Sequence, residues 1–144
     1  MKFTCAIDIN TNIKSVSEAF LNPDNLKHYQ DGFKSKTLIS GSTGHEGAKS
    51  KMVYEKLELI ETIIKNDLPN EFIGLYEHKH MTNTMTVRFK ELDANKTRYT
   101  SLIEYTKFNG FVIKIIAKLF PGMFKKQVQK WLNQFKIFVE SENV

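Results

Sequence analysis

His78-Lys79-His80 sets two imidazoles on the same face of an extended segment. That spacing suits a pair of zinc ligands. A zinc site needs a third and usually a fourth ligand, so Cys5, His45 or Glu104 would have to converge on the pair. Without that convergence the two histidines are the exposed or hydrogen-bonded end of a strand. The stretch Gly41-Ser42-Thr43-Gly44-His45-Glu46-Gly47 has the glycines of a phosphate loop, but it lacks the Gly-Lys-Ser/Thr ending and the following helix. It reads as a hairpin tip at the mouth of a cavity. Neither Ser-His-Asp nor Cys-His chemistry is legible among four His and one Cys, because such sets are assembled by the fold and not by spacing. Cys5 lies in an alternating apolar run and reads as a small buried hydrophobe, with a reactive thiol as the alternative.

A second set of residues places polar groups inside strands that otherwise feed an interior: Tyr54, Tyr76, His78, Arg88, Tyr99, Ser101, Glu104 and Tyr105. Alternation puts Phe72, Tyr76 and His78 on one face and Ile73, Leu75 and Glu77 on the other. It also separates Met85, Val87 and Phe89 from Thr86 and Arg88. We read Met85, Val87 and Phe89 as inward and Arg88 as solvent-facing. In the last strand Tyr99, Ser101, Ile103 and Tyr105 are read as inward, which leaves Glu104 outside. Hydroxyls around an apolar hollow either orient the polar end of a ligand or satisfy one another. If the protein is an enzyme, His78 and Tyr105 are the acid-base candidates, since such a group must titrate inside the cavity. No catalytic set is assigned.

These residues need elements to hold them. Residues 2–9 alternate, with Phe3, Cys5, Ile7 and Ile9 on one side of a first strand. Asn12 or Thr11 can cap a helix over 13–21 that buries Val16, Ala19 and Phe20. Asn22-Pro23 starts a second short helix with Leu26 and Tyr29 as its apolar contacts, and Gly32 ends it. Strand-like segments follow over 34–39, 48–55, 57–64, 71–80, 84–91 and 97–106, with turns at Pro69, at Thr82-Asn83 and at Asp93-Ala94-Asn95. Connections this short make the sheet antiparallel. From about Gly110 to Ser141 the pattern is helical, with a bend expected at Pro121. At ~100° per residue, Phe124, Val128, Trp131, Leu132, Phe135, Phe138 and Val139 fall within roughly 120° of arc. Lys125, Lys126, Lys130 and Lys136 fall opposite. Upstream, Phe111, Val112, Ile115, Ile116, Leu119 and Phe120 spread over a wider arc.

The 144 residues suit one domain, 1–144, with a core large enough to need no disulfide staples. Charged residues at 26% against 41% hydrophobic exclude a disordered chain, and 11 Phe and 5 Tyr against one Trp make the interior aromatic. A single cysteine fits a reducing compartment. The opening MKFTCAIDIN lacks the apolar core of a signal peptide, and no stretch reaches the ~20 apolar residues of a membrane span. The expectation is a cytoplasmic protein without integral membrane association. From Lys107 onward stand seven Lys and two Glu, a surplus of five, while fourteen basic and fourteen acidic residues balance before it. With only two Arg and no aromatic stacking surface, nucleic acid is not expected as a partner. The apolar stripe of the terminal helix cannot both cover a sheet and lie in lipid. Removing it from the interior would cost roughly 1.5–3 kcal/mol per large side chain, against a total stability of about 5–15 kcal/mol. The lysine face is therefore solvated and steers the protein only weakly to anionic surfaces at low salt.

The order of elements resembles the helix-grip fold of the START-like superfamily and, within it, the polyketide cyclase/dehydrase and lipid-transport group. The likeness rests on IDINTNIKSVSEAFLNPDNLKHYQDG, on the glycine-bearing GSTGHEGAKSKMVYE, on the final strand NKTRYTSLIEYT and on the terminal QVQKWLNQFKIFVE. The resemblance implies an α+β fold. A curved antiparallel sheet of about six to seven strands wraps around a long C-terminal helix, and two short helices follow the first strand. It also implies a hydrophobic or aromatic small molecule, lipid-like or polyketide-like, held between sheet and helix. Some members of that group catalyse cyclisation or dehydration there and others only carry ligand, and there is no invariant catalytic motif to transfer. The expected cavity wall comes from Tyr54, Phe72, Tyr76, His78, Met85, Val87 and Phe89, from Tyr99, Ser101, Ile103 and Tyr105, and from Phe111, Ile115, Leu119, Phe124, Val128 and Trp131 on the helix. The alternative is a small cyclase or dehydratase that uses Tyr and His in the same cavity. Neither a cofactor nor a metal is implied. The oligomeric state is left open, with pairing through a sheet edge as one route.

Overall fold

The fold, taken from a computed structural model, describes residues 1–142. Strand β1 (Lys2–Ile9) leads to helix α1 (Ile13–Leu21), a single helical turn at Pro23–Asn25 and the short helix α2 (Leu26–Tyr29). Six strands follow: β2 (Phe33–Ser40), β3 (Lys49–Tyr54), β4 (Glu58–Asp67), β5 (Glu71–His78), β6 (Met81–Asp93) and β7 (Lys96–Phe108). Helices α3 (Phe111–Leu119) and α4 (Gly122–Glu142) end the described chain. The strands form one sheet in the order β1-β7-β6-β5-β4-β3-β2, antiparallel throughout. With α4 across its inner face and two short helices after β1, this is the helix-grip α+β architecture that the element order predicts.

Local chemistry explains the boundaries. The Asn12 side chain accepts from the Ser15 amide at 2.9 Å and caps α1. Thr11 instead lends its carbonyl to the buried Thr97 hydroxyl at 2.8 Å, which ties the start of α1 to β7. Asn22 accepts from the Asp24 amide and Pro23 opens the next turn. The turn expected at Thr82-Asn83 falls earlier, at Lys79-His80. Thr82 and Asn83 belong to β6 and pair with Lys107 and Tyr105 across a bulge.

The C-terminal segment is not one bent rod. Proline has no amide to donate and disfavours helical backbone in the residue before it. Phe120 accordingly leaves the helical region at φ −131°, ψ 54°, and the segment breaks into α3 and α4. Only α4 enters the core, through Phe124, Leu132, Phe135 and Val139. Its flank covers the free edge of β1. Gln129 donates to the Ala6 carbonyl at 3.2 Å, Lys136 to the Asp8 carbonyl at 2.7 Å, and Glu140 accepts from the Asn10 amide at 3.1 Å. Lys136 therefore belongs to a polar seam that satisfies an exposed strand edge, and not to the solvated lysine face.

On the outer face of the sheet Arg98 forks onto Asp8, and Glu71 sits between Lys65 and Arg88. The inner face is apolar: Ile9, Val87, Phe89, Tyr99 and Ile103 are buried there. Among the described residues no helix is long and apolar enough to cross a membrane.

Candidate functional site

A cavity of about 590 Å³ lies between the inner face of the sheet and α4, within the range of small-molecule sites. Every strand but β1 contributes to its wall, and Leu26, Tyr29, Val128, Trp131 and Leu132 supply the helical side. Thr43 and Gly44 of the β2–β3 loop line it at one end, and Lys56 and Leu57 of the β3–β4 turn at the other. Tyrosines of the sheet meet aromatics of α4: Tyr54 stacks on Trp131 at 6.0 Å, Tyr99 meets Phe135 edge-on at 5.4 Å, and Tyr105 lies 5.1 Å from Phe124. These pairs fix where α4 crosses the sheet.

Of the residues read from sequence as the cavity wall, Tyr54, Phe72, Tyr76, Met85, Tyr99, Ser101, Ile103, Tyr105, Val128 and Trp131 line this space. Seven do not. Val87 is fully buried and Phe89 is packed edge-on against Phe20 and Tyr99, so α1 fills the space they face. Phe124 is buried between Tyr105 and Phe108 and not along the opening. His78 stands at the end of β5, where its Nδ1 accepts from the His80 amide at 3.2 Å. The desolvation it suffers there lowers its pKa, but it does not reach the cavity. His78 and His80 lie 5.5 Å apart, and no three metal-ligating side chains converge among the described residues. Phe111, Ile115 and Leu119 point to solvent, because the break at Phe120-Pro121 turns α3 away from the sheet.

The chemistry inside the cavity centres on a residue that sequence reading passed over. Glu61 of β4 is only 5% exposed. It accepts from the Tyr76 hydroxyl at 2.8 Å and pairs with Lys36 Nζ at 2.7 Å. Alternation along β4 places Leu59, Glu61 and Ile63 on one face, so a carboxylate interrupts an apolar row, a signal legible in the sequence. Gln30, at the end of α2, accepts from the Tyr54 hydroxyl at 2.6 Å. Among the described residues four buried side-chain polar atoms have no partner, on Thr62, Ser101, Trp131 and Gln134, and two of them, the Ser101 hydroxyl and the Trp131 indole N–H, belong to the wall. Buried groups of this kind are usually satisfied, and the indole can only donate.

Burial raises the pKa of all five tyrosines. Desolvation dominates at Tyr29, Tyr54, Tyr76 and Tyr99, with Glu61 adding to the rise at Tyr76, and Tyr105 is pushed up to about 12. An acid whose folded pKa is raised contributes stability that is present below its unfolded pKa near 10 and lost as pH rises through the folded value. Tyrosinate absorbance near 295 nm should therefore stay absent past pH 10 and then appear together with loss of far-UV circular dichroism. A normal tyrosine titration in the folded protein would contradict the burial of these rings.

Gly74 shapes the same wall. A Cβ there would stand 2.7 Å from the Tyr76 ring and hydroxyl, which lie back across it. Gly74→Ala should swing Tyr76 off Glu61 and cost roughly 1–3 kcal/mol, as overpacking does, read as a fall in the thermal midpoint. An unchanged midpoint would mean that the ring moves freely.

Fold and cavity together define a helix-grip protein with a space between sheet and terminal helix. No protein-family model matches the chain, and no curated protein sequence matches it. Solved structures do. A protein from Thermus thermophilus superposes with a TM-score of 0.81 over 100% of both chains at 15% identity. The Zhui aromatase/cyclase of a Streptomyces species superposes at 0.83 over 100% of this chain and 96% of its own, at 7% identity. A conserved protein from Geobacillus kaustophilus gives 0.76 over 98% and 96%, at 15% identity. At these identities what is shared is the fold.

Proposed function

We propose that the protein binds a hydrophobic or aromatic small molecule carrying at least one hydrogen-bonding oxygen, lipid-like or polyketide-like, in the cavity between the sheet and α4. The observation that carries this reading is the pairing of an apolar wall with two unpartnered polar atoms, Ser101 Oγ and Trp131 Nε1. A carbonyl or hydroxyl oxygen accepts from the indole N–H. The lone pairs of Glu61 left free by Tyr76 and Lys36 accept a hydroxyl proton from the ligand. Phe72, Met85, Ile103 and Val128 supply the greasy contact. The same fold in an aromatase/cyclase supports a site of this kind, though at 7% identity it does not carry over a reaction.

Trp131 is the only tryptophan, so its emission reports the site directly. Titration with anthraquinone, a flat apolar molecule with two carbonyl acceptors, should quench it to saturation. Ser101→Leu, which fills the cavity and removes an unpartnered hydroxyl, should weaken binding about ten-fold or more, as overpacking a site does. A linear, non-saturating response, or unchanged binding by the leucine variant, would refute the reading.

One observation favours a second, catalytic reading. The Glu61 carboxylate is buried in the cavity and held by a phenol and an ammonium, as a general base is positioned. His78 plays no part in this version, since it lies outside the cavity. If it holds, the protein should accelerate deuterium exchange at the carbon between the carbonyls of a bound aryl β-diketone, and Glu61→Gln should abolish the acceleration. Exchange at the buffer rate removes the catalytic reading and leaves the binding one standing.

A further inference from the structure

Helix α3 is the least explained element of the molecule. None of its residues is buried. Phe111 is 79% exposed, Val112 68% and Leu119 63%, and Ile115 is exposed beside them. Phe120 and Met123 continue the patch past the helix. At ~100° per residue Phe111, Ile115, Leu119 and Val112 share one outward arc of roughly 100°, while the half-buried Ile113, Ile116 and Ala117 turn inward. Lys114 and Lys118 stand together on one flank of the outward arc. A soluble surface seldom leaves so much contiguous apolar area in water unless something covers it.

The charge around the patch says what covers it. Between Tyr105 and Val139 the chain carries seven lysines and no acidic residue. Lys107, Lys114, Lys118, Lys125 and Lys126 are all exposed. A second copy of the chain would set this basic patch against its own image, because a two-fold interface joins identical surfaces. An anionic lipid surface answers both features. Apolar side chains enter the boundary of the acyl chains, and lysines extend along their flank to the headgroups. Nine residues of helix are about 14 Å long, right for lying in the interface and too short to cross.

We propose that α3 is a membrane-docking helix that seats the protein on anionic bilayers through Phe111, Val112, Ile115 and Leu119, with Lys114 and Lys118 on the phosphates. The docking stands on α3 and does not depend on what the cavity holds. It does give the cavity a setting. α3 follows β7 at the end of the sheet where β3 ends at Tyr54, β4 begins at Glu58, β5 ends at His78 and β6 begins at Met81, and the cavity reaches that end at Leu57, Asn83 and Tyr105. An apolar ligand leaving there meets the bilayer and not water.

The test is co-sedimentation with vesicles of phosphatidylcholine alone or mixed with phosphatidylglycerol. The protein should pellet with the mixed vesicles, stay in solution with pure phosphatidylcholine, and be released at high salt. Phe111→Ser with Leu119→Ser should weaken pelleting about ten-fold or more, as loss of two buried apolar side chains does, with no fall in the thermal midpoint because both residues are exposed. Lys114→Gln with Lys118→Gln should lose the preference for phosphatidylglycerol. Ser101→Leu, altered only in the cavity, should pellet as the unaltered protein does. No pelleting with the mixed vesicles, equal pelleting of the serine variant, or loss of pelleting in Ser101→Leu would each overturn the proposal, the last by showing that lipid is caught in the cavity. A dimer in light scattering that the serine substitutions dissolve would overturn it too, by assigning the patch to a second copy.

Discussion

Phe135→Ala should strip the protein of a large part of its stability. Phe135 is 1% exposed and is held edge-on by Tyr29 at 4.9 Å and by Tyr99 at 5.4 Å. It is therefore the point at which α2, α4 and the sheet meet. Truncating a buried phenylalanine costs about 3–5 kcal/mol through lost transfer energy and the cavity left behind. The ring geometry adds about 0.5–1.5 kcal/mol for each aromatic pair lost. Against a stability of roughly 5–15 kcal/mol, this removes about a quarter of the total or more. The neighbouring ligand cavity gives nothing to refill the hole, since the surrounding rings are fixed by one another. Urea denaturation should show a midpoint far below that of the unaltered protein. A drop of less than about 1 kcal/mol would mean that α4 is not anchored here. Leu132→Ala, at 3% exposed on the same stripe, should fall in the same direction.

Lys36→Met should destabilise the protein by about 2–3 kcal/mol, somewhat less than the roughly 3–5 kcal/mol for breaking a fully buried ion pair, because the cavity offers some solvation. The asymmetry of the pair decides which partner matters. The Glu61 side chain is 7% exposed and that of Lys36 is 20%, so the carboxylate is the stranded group when its partner goes. Met keeps the length of the lysine stem and removes only the ammonium. Glu61 is then left with the Tyr76 hydroxyl. The reverse change, Glu61→Gln, keeps volume and an acceptor for Tyr76 and lets Lys36 turn to water, so its cost should stay below about 1 kcal/mol. Combining Lys36→Met with Glu61→Leu should recover much of the loss, because neither charge remains to be desolvated. Chemical denaturation of the three variants checks the order. Equal losses for Lys36→Met and Glu61→Gln would show that Glu61 is better hydrated than its position implies.

The fold was legible because its patterns repeat over long elements. The alternation from Thr97 to Tyr105 and the α4 stripe from Phe124 to Val139 each hold their period for several turns or pairs, and the order of elements did the rest. The failures have separate causes. Val87 and Phe89 sit on the inner face, yet alternation cannot say whether a helix or an opening lies across from a given residue, and α1 lies across from these two. His78 keeps the same phase as Tyr76 but comes where β5 ends, and phase carries no information about strand ends. Glu61 escapes a reading by composition, because the Ile, Leu and Thr around it mark a strand without saying which face its carboxylate interrupts. Apolarity alone places Phe111, Ile115 and Leu119 in the interior. Pro121 was expected to bend the helix, but a break there frees α3 from the sheet, and composition does not reveal which surface an apolar helix meets. Lys136 shows the converse: it has the phase of a solvent-facing residue, but its long stem reaches back to satisfy β1.

The space between sheet and α4 should receive an apolar molecule whose oxygen meets the indole of Trp131. A crystal structure of the anthraquinone complex tests it most directly. One molecule should lie inside the sheet, with a carbonyl oxygen within hydrogen-bond distance of Trp131 Nε1 or Ser101 Oγ and ring contacts to Phe72, Met85 and Val128. A probe bound elsewhere, or α4 collapsed onto Ser101 and Tyr76 with no room between, would contradict it.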